Sequence, residues 1–236
     1  SHKFEQINQR TGNLDRHALE DFKGRWCACQ GCSIGIMGIK NDQITASIEK
    51  GNRQKGYQTE IQNYLKNNPR TIVILDDDPT GTQTVQNIPV ITNWTETALE
   101  RELLRSPVFF VLTNSRALQR YEAEQLAETI GSRLKKLSQK HAKKLIVVSR
   151  SDSTLRGHYP NEVEVLGEAL GMSEVKHALI PAFFEGGRYT FEDVHYVQEA
   201  KNFVPSGQTA FAQDSTFGYI HSNLRNYILE KYKGRM

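Results

Sequence analysis

Three adjacent carboxylates, Asp76, Asp77 and Asp78, follow directly on the apolar run Thr71-Ile-Val-Ile-Leu75. Like charges at consecutive positions repel. Their gathering at a strand end calls for a cation, a ligand rich in hydrogen-bond donors, or a proton-transfer step. The plain alternative is a solvated acidic turn that caps the next helix. Pro79 and Gly81 break the strand into a tight loop, and Thr80, Thr82 and Thr84 surround it with hydroxyls. Asp77 and Asp78 are the candidate proton acceptors. Thr80 and Gly81 are candidate substrate contacts.

Three further segments carry the same kind of side chain. Thr113-Asn-Ser-Arg116 contributes Arg116. Arg150-Ser-Asp-Ser-Thr-Leu-Arg-Gly-His158 contributes Asp152, Ser153, Arg156 and Gly157. Phe183-Phe-Glu-Gly-Gly-Arg188 contributes Arg188. Carboxylates, hydroxyls and guanidiniums together suit a small oxygen-rich anion, such as a sugar acid or a phosphorylated sugar. Arginine forks bind carboxylate or phosphate bidentately, while Asp and Ser bond to hydroxyls. Arg156, with Asp152 and Ser153 beside it, is the expected clamp on a carboxylate. For any single arginine the competing reading is a salt bridge to a neighbouring aspartate.

These loops need elements to bring them together. Strands are expected at 71–75, 88–92, 108–112, 145–149 and 177–181. Several are nearly continuous apolar runs, the pattern of strands buried on both faces. Pro89 places the second at an edge. Leu126, Ile130, Leu134 and Leu137 recur at helical spacing, and the lysines that follow read as a solvated helix end. Pro160 opens a helix that carries Val163, Leu166 and Leu170 inward. Tyr57, Ile61, Tyr64 and Leu65 share a face of an earlier helix that ends at Asn67-Asn-Pro69. Ser222 caps a last helix bearing Leu224, Ile228 and Tyr232. Residues 182–221 read as long loops with one short hairpin. The fold class expected is α/β: an open, mostly parallel sheet with flanking helices in Rossmann-like layers. In such a sheet the loops after successive strands share one edge and converge on one crevice.

Composition sets the outer limits. The chain has 236 residues, 38% hydrophobic and 24% charged, with a net charge of +3. This is ordinary for a soluble globular protein and does not indicate nucleic acid, since no Lys/Arg stripe interleaves with aromatics. No apolar run reaches the roughly 20 residues of a membrane helix. The polar start shows no export signal, and a cytoplasmic location is expected. Ser1-His2, without Met, has the look of a tag remnant. Residues 1–56 fit no periodic template and read as an irregular leader. That leader holds Cys27, Cys29 and Cys32, with His17 as a conceivable fourth metal ligand. The spacing is wrong for a zinc ribbon, so free thiols are expected and no metal site is assigned. Walker-type and dinucleotide glycine loops are both missing.

Two ordered motifs carry a family resemblance. Leu75-Asp-Asp-Asp-Pro-Thr-Gly-Thr-Gln-Thr84 resembles the Asp-Asp-x-Thr-Gly loop of the four-carbon acid sugar kinases. Ser151-Asp-Ser-Thr-Leu-Arg-Gly157 resembles their Asp-Ser-Thr-Leu-Arg-Gly hallmark. Glu185-Gly-Gly-Arg-Tyr189, Asp193-Val-His-Tyr-Val197 and Thr209-Ala-Phe-Ala-Gln-Asp214 are similar to further segments of the same group. The resemblance implies ATP-dependent phosphorylation of a hydroxyl on a short sugar acid such as threonate or erythronate. It implies a sugar-acid-binding domain over 57–236, partnered by a nucleotide-binding C-terminal domain that would bring ATP and Mg. It leaves room for a homodimer. On this reading the chain holds the sugar-acid half and does not phosphorylate alone. Asp76-x-Asp78-x-Thr80 also resembles the opening motif of haloacid-dehalogenase phosphatases, in which the first Asp is the phosphoryl nucleophile. The Gly-Asp-x-x-x-Asp pair expected downstream in that family is missing. A non-catalytic sugar-acid binder is the other alternative.

Overall fold

The computed structural model describes residues 39–40, 57–82, 85–172 and 177–233. The three cysteines and His17 lie outside them. Of the expected leader only β1 (Ile39–Lys40) is described.

Four strands form the expected parallel sheet: β2 (Thr71–Asp76), β3 (Val90–Ile91), β4 (Val108–Leu112) and β5 (Leu145–Arg150), in the order β3-β4-β2-β5. The sequence at β2 and β4 is rich in β-branched and aromatic residues, which pack well on a pleated surface. β3 lies at an edge, as Pro89 requires. Three helices supply the core against one face: α2 (Glu96–Arg105), α3 (Arg120–Lys140) and α4 (Asn161–Ala169). Val73, Leu75, Phe109 and Val111 from the sheet meet Leu99 and Leu103 of α2, Ile130, Leu134 and Leu137 of α3, and Leu166 of α4. Val163 is not part of this cluster; Val165 and Leu170 pack against it instead. The two faces are not equally covered. Ile72 and Ile74 alternate to the other side and are only half-buried, and Val148 beside Ile74 is 41% exposed.

The lysines at the end of α3 are more than a solvated face. Lys136 pairs with Glu96 at 2.8 Å and Lys140 with Glu100 at 2.6 Å, tying α3 to α2. Helix α1 (Tyr57–Asn67) ends where Pro69 predicts, but Tyr57, Ile61 and Tyr64 are each more than half exposed.

The segment 177–181 is not a strand. Ile180 is 81% exposed, Pro181 is buried but has no N–H to donate, and Leu179 is only partly buried. A short apolar run without a ladder partner stays irregular. The chain then enters a second sheet that the sequence reading missed: β6 (Arg188–Phe191), β7 (Val194–Glu199) and β8 (Asn202–Pro205), antiparallel, with β1 added to β8. Both hairpin turns have two residues. Glu192 and Asp193 lie at φ 47° and 62°, and Ala200 at 54°. Positive φ at such turns matches the strand twist, but the usual marker is Asn-Gly or Asp-Gly.

Helix α5 (Leu224–Lys233) closes the described structure. Asn223, not Ser222, caps it: its Oδ1 accepts from the Arg225 and Asn226 amides at 3.1 and 3.3 Å. Ser222 Oγ accepts from the Gly207 amide at 2.8 Å. The deeply buried aromatic of α5 is Tyr227, 1% exposed, which packs with Leu155, Ala212 and Tyr219.

Candidate functional site

β2 and β5 are parallel neighbours with Asp76 opposite Arg150, so the aspartate loop and the Asp152 loop leave the sheet at the same edge. β4 ends beside β2 with Leu112 opposite Asp76, which brings Arg116 to that edge as well. Parallel pairing thus creates the charge cluster, in which Arg150 meets Asp76 and Arg116 meets both Asp77 and Asp78.

Asp76 is fully buried. Arg150 Nη1 donates to both of its oxygens at 3.1 and 3.2 Å, and burial, only partly offset by Arg150, holds its pKa above the ordinary value. Gly81 lies against this pair. A Cβ there would overlap the Arg150 guanidinium and both Asp76 oxygens, so glycine is a packing requirement at this position. Asp76 is thus buried and paired, whereas a phosphoryl nucleophile has to be open to its substrate.

Asp77 is 3% exposed. Arg116 grips it with two hydrogen bonds, Nη2 to Oδ1 at 2.5 Å and Nε to Oδ2 at 3.1 Å, while Ser151 Oγ donates at 2.7 Å. Asp78 is more open. Its Oδ1 accepts from the Thr80 amide at 2.7 Å and the Thr80 hydroxyl at 2.5 Å, and Arg116 Nη1 reaches Oδ2 at 3.2 Å. The Thr80 hydroxyl above all, then the Thr80 amide and Arg116, holds its pKa low. Thr80, expected as a substrate contact, is thus committed to Asp78. Among the described residues no group of three or more His, Cys, Asp or Glu side chains is arranged to hold a metal ion.

In the next loop Arg156 Nε donates to Asp152 Oδ2 at 2.6 Å, and Thr154 Oγ1 makes a very short hydrogen bond to the same oxygen. Leu155 and Gly157 have φ of 67° and 147°; a Cβ on Gly157 would strike Ser151 Oγ. This strained path is held from outside. Tyr219 OH donates to the Thr154 carbonyl at 2.8 Å, and Tyr227 OH to that of Leu155 at 2.9 Å. The Ser153 carbonyl lies 2.7 Å from Nε2 of the wholly buried His195, whose Nδ1 is 3.0 Å from Thr190 Oγ1. Burial depresses the pKa of His195, and a neutral ring donates through Nε2 to the Ser153 carbonyl.

Glu162 forms a second layer. It is 6% exposed, accepts from Ser115 Oγ at 2.9 Å, and is pushed up to about 7 by burial, with Asp77 adding to the shift.

The loop 183–188 does not share the parallel-sheet edge. Gly186 lies in the short turn Phe184–Gly186 and Arg188 opens β6 of the antiparallel sheet, a consequence of 177–181 not being a strand. Phe211 links the two regions: the guanidinium carbons of Arg156 and Arg188 lie 5.1 and 5.3 Å from its ring centre. His195, Phe211 and Glu162 are the residues that sequence reasoning did not single out. The first two lie within segments already noted for resemblance; Glu162 carried no signal at all.

The sequence profile of a sugar-binding N-terminal domain matches residues 72–236. The chain belongs to that family. Its match takes in the parallel sheet from Ile72 on, the antiparallel sheet except β1, and every loop of the site described above. A crystal structure of a domain of unknown function from Bordetella bronchiseptica, containing bound citrate in a domain-swapped dimer, is similar in fold. That similarity has a TM-score of 0.51 at 22% identity and covers 66% of this chain. The matched region spans 39% of that protein's chain. Comparison with curated proteins gives no match. Membership of the sugar-binding domain family fits a substrate-binding role. Among the described residues no helix is long and apolar enough to cross a membrane.

Proposed function

We propose that this chain is the substrate-binding part of an ATP-dependent kinase that phosphorylates a hydroxyl of a four-carbon sugar acid such as threonate or erythronate. The observation that carries the reading is the convergence of the Asp77–Asp78 and Ser151–Gly157 loops on one edge of a parallel sheet. It brings carboxylates and guanidiniums together at one edge. Family membership supports the sugar-binding part. The citrate of the Bordetella protein, a hydroxylated carboxylic acid, is chemistry of the same kind.

In this reading Asp78 is the proton acceptor. It is the most accessible of the three aspartates, and Thr80 keeps it ionised. Asp77 is locked by Arg116 and Ser151 and sets the position of Asp78 and Arg116. The substrate hydroxyl oxygen bonds to the terminal phosphorus of ATP, the bond from that phosphorus to ADP breaks, and the hydroxyl proton passes to Asp78. An ionised carboxylate of low pKa is a weak base, so its proton transfer falls late, when the reacting oxygen has become acidic. Thr80, Gly81, Arg116, Asp152, Ser153, Arg156, Gly157 and Arg188 shape and orient the substrate site. ATP and Mg come with a nucleotide-binding domain.

The test is to mix the purified chain with ATP, magnesium and D- or L-threonate, and to follow both binding heat and ADP. The expected outcome is threonate binding without ADP release, because among the described residues at this edge no group is placed to cradle a polyphosphate. Turnover by the chain alone at about 1–100 per second, typical of kinases, would place the nucleotide site within it and overturn the division of labour.

A further inference from the structure

We infer that Arg188, delivered by the antiparallel sheet, is the receptor for the carboxylate of the substrate and so sets the preference for sugar acids over neutral polyols. The inference rests on the proposed sugar-acid reading and assigns one end of that same site.

Arg156 is the obvious candidate from sequence, but its charge is already answered. Asp152 holds its Nε at 2.6 Å and Asp214 lies 3.7 Å from its Nη1. A guanidinium between two carboxylates has little left for a third. Arg188 is the opposite case. Among the described residues no carboxylate lies within ion-pair distance of it. Nη1 bonds only to the Gly186 carbonyl, and Nε is buried without a partner. Burial, and then the Arg188 charge itself, keeps the pKa of the nearby His195 low. Leaving a charged N–H donor buried and unpaired is costly, and a bound anion removes that cost.

The side chain is also built into position. Its backbone exchanges two hydrogen bonds with Phe183, at 2.8 and 3.1 Å, and Arg188 pairs with Val197 across β6 and β7. Gly187, at φ 73°, makes the turn that presents the Gly186 carbonyl to Nη1. Phe211 supports the guanidinium and places it beside Arg156, whose loop leads back to the aspartates. Together they hold a preformed, partly unsatisfied guanidinium beside Arg156.

The experiment is calorimetry on the full chain and on Arg188→Met and Arg188→Lys, with threonate, its neutral analogue threitol, citrate and inorganic phosphate as probes. Thermal melting of each variant confirms that it folds. The expected result is a loss of threonate affinity of about 10- to 100-fold in Arg188→Met, the size of a charge-assisted hydrogen bond. Arg188→Lys recovers part of it, and threitol binding does not respond to either change. Threonate binding that is equal in all three proteins overturns the assignment and leaves the sugar-acid reading standing. Citrate binding lost in Arg188→Met, with no threonate binding by the native chain, keeps the carboxylate receptor and overturns the four-carbon substrate. Phosphate as the only ligand lost would reassign Arg188 to a phosphoryl group and overturn the inference. A native chain that binds none of the four overturns both.

Discussion

Glu162 shows how one buried side chain can write a pH dependence into the molecule. Its carboxyl has an ordinary value of 4.5 and is raised to about 7 in the fold, so the folded state binds the proton more tightly than the unfolded chain. Stability is therefore greatest below the unfolded value and falls as pH rises from 4.5 to about 7, where ionisation has to occur inside the protein. Glu162→Gln copies the protonated form and can still accept from Ser115. The variant is expected to exceed the native protein in stability by up to about 3 kcal/mol at pH 8. The gain should shrink to below about 1 kcal/mol at pH 5. Urea unfolding at the two pH values measures this. A difference that does not change with pH would mean that Glu162 titrates normally. Sequence alone cannot show such a group, because its burial comes from α4 crossing behind the Asp77 loop. The aspartates themselves were legible, since three consecutive carboxylates after an apolar run are unusual anywhere. Their individual partners were not: which of Arg116, Arg150 and Arg156 meets which aspartate depends on strand register.

At the scale of elements, the loop 150–158 is shaped by groups far from it in sequence. Its left-handed residue Leu155 is held through a carbonyl by Tyr227 of α5, and the preceding carbonyl by Tyr219. Tyr227→Phe leaves a buried carbonyl unpaired and should cost about 1–3 kcal/mol in urea unfolding. It should also weaken threonate binding, because Asp152 and Arg156 lose their anchorage. Full affinity in this variant would show that packing alone fixes the loop. The elements that sequence reading placed well were those with strong local signals: β2, β4 and β5, and the long helix α3. The antiparallel sheet was missed because Glu192-Asp193 and Ala200-Lys201 turn without glycine or asparagine. The segment 177–181 was misread because a short apolar run has the same look whether or not a neighbouring strand awaits it.

Across the whole molecule, two sheets of different kinds meet at the site. The parallel sheet provides carboxylates and their arginines; the antiparallel sheet provides Arg188 and the histidine that holds Ser153. The layering of the first was readable from βα alternation, while the second emerges only from long-range pairing. The pairing of charges has a further consequence, for the way a ligand finds the crevice. Asp76, Asp77, Asp78, Asp152 and Asp214 stand against Arg116, Arg150 and Arg156, with Arg188 unpaired nearby, so positive and negative charges nearly cancel before anything binds. A near-neutral entrance casts no long-range field, and an anion arriving by diffusion is not steered toward it. The association rate of threonate should then change by less than about threefold between low and high salt, because there is little field for the ions to screen. Stopped-flow measurements over that range would reveal a steep decline if a hidden excess of positive charge draws the substrate in. Recognition by this protein would accordingly be decided at contact, by fit, after an encounter that chance alone provides.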